Sequence, residues 1–115
     1  MTINGIGTDI VSIKRMKNAR HRERVAEYVL CDNERKLLDA SADPVEYLAS
    51  RLAAKEAVVK AFPGTLNLQD ISIVKDGNKL KVEFKDSSMG ASYAVFVSIS
   101  HEFEYALGFA VVCSI

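Results

Sequence analysis

Asp43-Pro44 and Pro63-Gly64 bracket the least ambiguous element of this 115-residue chain. Asp is a strong helix N-cap, Pro suits the first helical position, and Pro-Gly ends a helix. Between them Val45, Leu48, Leu52 and Val59 fall near one stripe. Alanines at 49, 53, 54 and 57 leave room for another element to pack closely. A helix of this length must be covered by the rest of the chain, which reads mostly as strands.

Thr2 to Ile13 is rich in isoleucine and reads as a strand, with Gly5 and Gly7 marking close backbone approach or a bulge. Helical spacing covers much of 14–31, and Asp32 is a candidate N-cap for a short helix Asn33 to Ala40. Asp70 to Lys75 and Lys79 to Lys85 flank an Asp76-Gly77-Asn78 turn and form an amphipathic hairpin. Ser87 to Ser92 reads as a loop around Gly90. Two long apolar strands follow, Tyr93 to Ser100 and Tyr105 to Val112. The order predicts one α+β domain over residues 1–115, a mostly antiparallel sheet packed on a long helix.

Apolar residues make up 49 % of the chain and charged residues 26 %, which argues against disorder. No apolar run approaches the ~20 residues of a membrane-spanning helix. Met1 to Asp9 has no basic stretch followed by an apolar one, so no secretory leader is expected. Cys31 and Cys113 lie far apart without a CxxC pattern, and reduced, buried thiols in a cytoplasmic protein are expected.

The formal net charge of zero conceals an asymmetry. Lys14 to Arg24 carries six basic residues against one acid, a net of five positive, and the remainder carries the opposite five. Such a stretch suits an acidic partner. Nucleic acid is a poorer fit, because neither a base-reading motif nor clustered stacking aromatics accompany it.

Several polar residues are not explained by a core. Asp9 sits inside an apolar strand, where it either caps neighbouring backbone or serves as a metal ligand or base. Glu56 either pairs with Lys60 four residues on or joins Asp9 around a hard divalent cation. Lys55 and Lys60 beside such a site would meet phosphate oxygens. His101 ends an apolar strand after Ser98-Ile99-Ser100, within reach of a ligand.

Taken together, Gly5-Ile6-Gly7-Thr8-Asp9-Ile10-Val11, Arg15, the run Arg51 to Phe62 with its KExxxK pattern, and Ser98-Ile99-Ser100-His101 resemble the signature segments of one family. These are the holo-acyl-carrier-protein synthases, the small, trimeric branch of the 4'-phosphopantetheinyl transferase superfamily. The resemblance runs the length of the chain in the family's order. It implies that fold, a homotrimer, and transfer of the phosphopantetheine arm of coenzyme A to a serine of apo-acyl carrier protein in fatty acid biosynthesis. Adenosine 3',5'-bisphosphate would be the second product.

By the same resemblance Asp9 and Glu56 match the magnesium ligands, and Lys55 and Lys60 match phosphate-side positions. His101 resembles a histidine that contacts coenzyme A, and Arg15 an arginine that pairs with an acidic residue of the carrier. Arg51 resembles a basic position near the nucleotide or the carrier. The resemblance also implies active sites at subunit boundaries, with Asp9 and Glu56 from one chain and His101 from its neighbour. Asp9, Glu56 and a metal-bound water all remain open as acceptor of the serine proton. The chain departs from the family's Gly-Thr-Gly turn at Phe62-Pro63-Gly64-Thr65-Leu66-Asn67 and from its Gly-Lys-Pro at Gly77-Asn78-Lys79-Leu80, and Asp86 to Ser92 is short where many relatives have a helix.

Overall fold

The computed structural model describes residues 1–115. Strand β1 (Thr2–Ser12) runs into helix α1 (Ile13–Asn18), followed by α2 (Arg22–Val29), α3 (Asp32–Ala40) and the long α4 (Pro44–Ala61). A 3-10 turn at Leu68–Asp70 leads to the hairpin β2 (Ile71–Asp76) and β3 (Lys79–Phe84). Helix α5 (Ser87–Ser92) then precedes β4 (Tyr93–His101) and β5 (Tyr105–Ser114). All strand pairs are antiparallel; β1, β5 and β4 form one sheet in that order, and β2 and β3 a second.

Helix α4 begins as the sequence predicts. The Asp43 carboxylate accepts from the Glu46 amide at 3.1 Å, with Pro44 in the first helical position. Its alanine face meets the sheet at glycines. A Cβ on Gly5, Gly7 or Gly108 would stand 2.4, 1.9 or 2.4 Å from the backbone oxygens of Ala61, Ala57 and Ala53. No side chain fits in that space, so backbone packs on backbone. The register of β1 also slips between Ile3 and Gly5, so both roles expected of the glycine segment occur there.

The core has three parts. Met16, Val29, Leu38 and Leu48 join α1 to α3 with the first half of α4. Ala57, Val58, Ile71 and Val112 join its second half to both sheets. Ala49, Ala53 and Ala106 lie between. The opposite face of the three-stranded sheet is uncovered: Ile6, Ile10, Phe96, Leu107 and Phe109 are 66, 59, 56, 40 and 44 % exposed.

Three local expectations change. Residues 14–31 divide into two short helices, because Ala19 turns extended after Asn18. Helix α3 starts one residue earlier than expected, with Cys31 as N-cap and its amide donating to Glu34 at 3.0 Å. Ser87–Ser92 is helical, capped by Asp86, whose carboxylate accepts from the Ser88 amide and hydroxyl at 2.9 and 2.7 Å. Those two bonds hold the Asp86 carboxyl below its ordinary value. Both cysteines are free; Cys113 is buried, while Cys31 is only partly so.

Candidate functional site

The glycine contacts fix where Asp9 emerges. Asp9 follows Gly7 by two residues on β1 and so points to the same face, toward α4. Lys60 Nζ donates to Asp9 Oδ1 at 3.1 Å and to the Thr8 carbonyl at 3.0 Å. Glu56 stands one turn before Lys60 on the same face of α4. The strand and the helix thus bring the Asp9 carboxylate and the Lys60 ammonium together, their side chains 22 and 54 % exposed, with Glu56 one turn away along α4.

No group of three or more His, Cys, Asp or Glu side chains forms a metal-binding cluster. Two hard carboxylates are too few for a structural zinc site. They fit magnesium, which commonly takes one or two carboxylates and completes its shell with waters and substrate phosphate.

Beyond Asp9 the strand ends at Ser12, whose hydroxyl accepts from the Arg15 amide at 3.1 Å and starts α1. The cap throws Arg15 outward. Lys14, Arg15, Lys17, Arg20, Arg22 and Arg24 are all exposed, on and between the two short helices that follow β1.

His101 and Arg51 meet elsewhere, in a cleft of about 720 Å³ between the first half of α4, the β2–β3 hairpin and the end of β4. His101 Nε2 lies 3.1 Å from Glu46 Oε1, which also accepts the Ser50 hydroxyl at 2.9 Å. Arg51 is 7 % exposed, its guanidinium 4.5 Å over the Tyr47 ring, and its Nε has no partner. An unpartnered buried donor at a cleft wall is the arrangement an anionic ligand relieves. Burial raises the Tyr47 phenol above its ordinary value of 10.0, against the pull of Arg51.

Lys55 departs from expectation. It is fully buried; Nζ donates to Glu34 Oε1 at 2.5 Å and to the Val29 carbonyl at 2.7 Å. Its ammonium faces the core rather than a phosphate, because Glu34 already neutralises it there. Glu34, Glu46, Ser50 and Tyr47 escaped the sequence reading. For Glu34 a signal existed: a Glu three residues after the cap is a capping-box pattern. The other three sit on α4 as ordinary helix residues, without a distinguishing mark.

Along α4, Glu46 precedes Glu56 by about 15 Å, at 1.5 Å per residue. One chain therefore carries the carboxylate pair and the His101 cleft at separate stations on the same helix.

The family model described as the 4'-phosphopantetheinyl transferase superfamily matches residues 5–110. A holo-[acyl-carrier-protein] synthase from Azoarcus sp. (strain BH72) is 37 % identical over 125 positions, covering 96 % of this chain and 97 % of its own. Among solved structures, holo-[acyl-carrier-protein] synthase from Neisseria meningitidis superposes with a TM-score of 0.85 at 32 % identity, over 97 % of this chain and 99 % of the other. The Bacillus anthracis enzyme in complex with CoA (3',5'-ADP) superposes at 0.83 with 28 % identity, over 97 % of each chain.

Proposed function

Because the chain belongs to the 4'-phosphopantetheinyl transferase superfamily and is a phosphopantetheinyl transferase of the holo-acyl-carrier-protein synthase type, we propose that it transfers the 4'-phosphopantetheine arm of coenzyme A to a serine of apo-acyl carrier protein. The observation that carries this reading is the Lys60–Asp9 contact, one helical turn from Glu56 and within the segment the family model matches. The reading extends to a cytoplasmic role in fatty acid biosynthesis. No helix is long and apolar enough to cross a membrane.

The serine hydroxyl attacks the pyrophosphate phosphorus nearest the pantetheine arm. A P–O bond forms, the bond to the bridging oxygen breaks, and adenosine 3',5'-bisphosphate leaves. Asp9 and Glu56 are the catalytic pair: they would hold magnesium, and the serine proton passes to a base at this same site. Bound there, magnesium supplies positive charge against the pyrophosphate oxygens. Lys60 uses two of its three N–H donors on Thr8 and Asp9, which leaves the third for a phosphate oxygen. His101 and Arg51 bind the nucleotide end of coenzyme A, with Tyr47 fixing the plane of the Arg51 guanidinium. Arg15 and the basic surface around it receive the acidic carrier, steering it toward Asp9.

The assembly is a homotrimer. The uncovered sheet face supports it, since so many adjacent large apolar side chains are rarely left in water. Separation of the carboxylate pair from the His101 cleft supports sites at subunit boundaries, with His101 coming from the neighbouring copy.

The test is direct. The protein is mixed with apo-acyl carrier protein, coenzyme A and magnesium, and the carrier is weighed by mass spectrometry. A gain of one phosphopantetheine is expected, abolished by chelation or by Asp9→Ala or Glu56→Ala. No gain across several carriers would refute the reading.

A further inference from the structure

Lys55 and Glu34 form a buried ion pair that the transfer chemistry does not touch. Both side chains are fully shielded from solvent. Besides Lys55, Glu34 accepts the Cys31 amide at 3.0 Å and the Ile73 amide at 2.8 Å, while Lys55 also holds the Val29 carbonyl at 2.7 Å. One residue of α4 is thereby tied to the end of α2, the start of α3 and strand β2.

Such a pair loses hydration on both partners and is weak evidence of net stabilisation; fixing a register is its best-attested use. Helix α4 has particular need of one. Its closest contacts with the three-stranded sheet are alanine backbone on glycine backbone, at Gly5, Gly7 and Gly108, with few large side chains such as Val58 beside them. A face with few large interlocking side chains resists sliding and rotation less well, because ridges set into grooves are what normally select a helix's orientation. Lys55 is the covalent neighbour of Glu56. Adjacent helix residues point about 100° apart, at 3.6 residues per turn. Drawing Lys55 inward therefore fixes the angle at which Glu56 leaves the helix.

We infer that Lys55 is a positioning residue: its buried bond to Glu34 sets the rotation of α4 over the sheet, so that Glu56 is presented beside Asp9. This rests on the reading of Asp9 and Glu56 as metal ligands. The anchor also reaches the last residue of α2, the helix that begins with Arg22 and Arg24.

Two variants separate positioning from stability. Glu34→Asp keeps both charges and shortens the tether by one methylene. Lys55→Met combined with Glu34→Gln makes the pair neutral while retaining its bulk. Thermal unfolding is measured beside Mn2+ binding, read by electron paramagnetic resonance with coenzyme A present, and beside steady-state transfer. Both variants are expected to bind Mn2+ at least roughly tenfold more weakly than the unmodified protein. Turnover should fall roughly 100-fold, as for a small misplacement of a reacting group, with KM for coenzyme A unchanged. Unaltered Mn2+ affinity in either folded variant would overturn the inference and leave Lys55 a purely structural residue; should the neutral pair not fold, Glu34→Asp decides. If the unmodified protein itself transfers without a divalent metal and binds no Mn2+, the metal-ligand reading falls instead, and the inference with it.

Discussion

Lys60 holds the Thr8 carbonyl at 3.0 Å and the Asp9 carboxylate at 3.1 Å with one ammonium group. The contact joins α4 to β1 from the solvent side, where the glycines join them from beneath. Because both partners are partly exposed, the pair adds little stability, under about 1 kcal/mol. Lys60→Met should therefore leave the melting temperature almost unchanged while slowing transfer by roughly 100-fold or more, the cost of losing one preorganised donor. A large drop in melting temperature at full activity would contradict this assignment of Lys60.

Gly7 and Gly90 make a contrasting pair. A methyl on Gly7 would meet the Ala57 oxygen at 1.9 Å, and neither helix nor strand backbone can yield cheaply. Gly7→Ala should destabilise the chain by about 1–3 kcal/mol or more, with loss of transfer as α4 lifts away from Asp9. Gly90 lies within α5 with nothing within 4 Å of its added Cβ. Gly90→Ala should stabilise by up to about 1 kcal/mol. Denaturant unfolding of both variants checks the pair.

The uncovered sheet face makes a hydrodynamic prediction. Phe109→Glu places a charge at the centre of the three-stranded sheet, opposite Thr8 and Ser98. Sedimentation should show a single chain with native circular dichroism and transfer near background. A variant that still sediments as three chains would move the interface elsewhere.

Tyr47 carries a prediction in pH. Burial raises its phenol above the ordinary value of 10.0, so folding favours the neutral form. The corresponding stability is fully present below pH 10 and is lost as pH rises through the elevated value. Tyr47→Phe should flatten this alkaline decline in melting temperature as pH rises above about 10. Near pH 7 it should be neutral or slightly stabilising, since the buried hydroxyl has no partner to lose.

Short-range chemistry was legible in the sequence; long-range pairing was not. Asp43-Pro44 and Pro63-Gly64 located α4 because capping acts over three or four residues. The glycines of β1 announced close approach because only their lack of a side chain explains them there. Lys55 misled because the helix pattern grouped it with Arg51 and Lys60 as polar, and its partner lies 21 residues away. Nothing local distinguishes a lysine that turns inward to a carboxylate from one that turns outward. Helix α5 was missed because six residues span too few turns for periodicity, and Gly90 suggested a loop. The His101–Glu46 contact joins the end of β4 to the start of α4, a meeting only the folded topology creates.

The spacing of the two stations along α4 has a genetic corollary in the proposed trimer. Each copy lends Asp9 and Glu56 to one site and His101 to the next. A chain disabled at Glu56 and a chain disabled at His101 would then not be equivalent losses. When the two are co-expressed, some boundaries in mixed trimers receive an intact half from each parent. Two dead alleles would complement, and the recovered activity would count the boundaries at which intact halves meet.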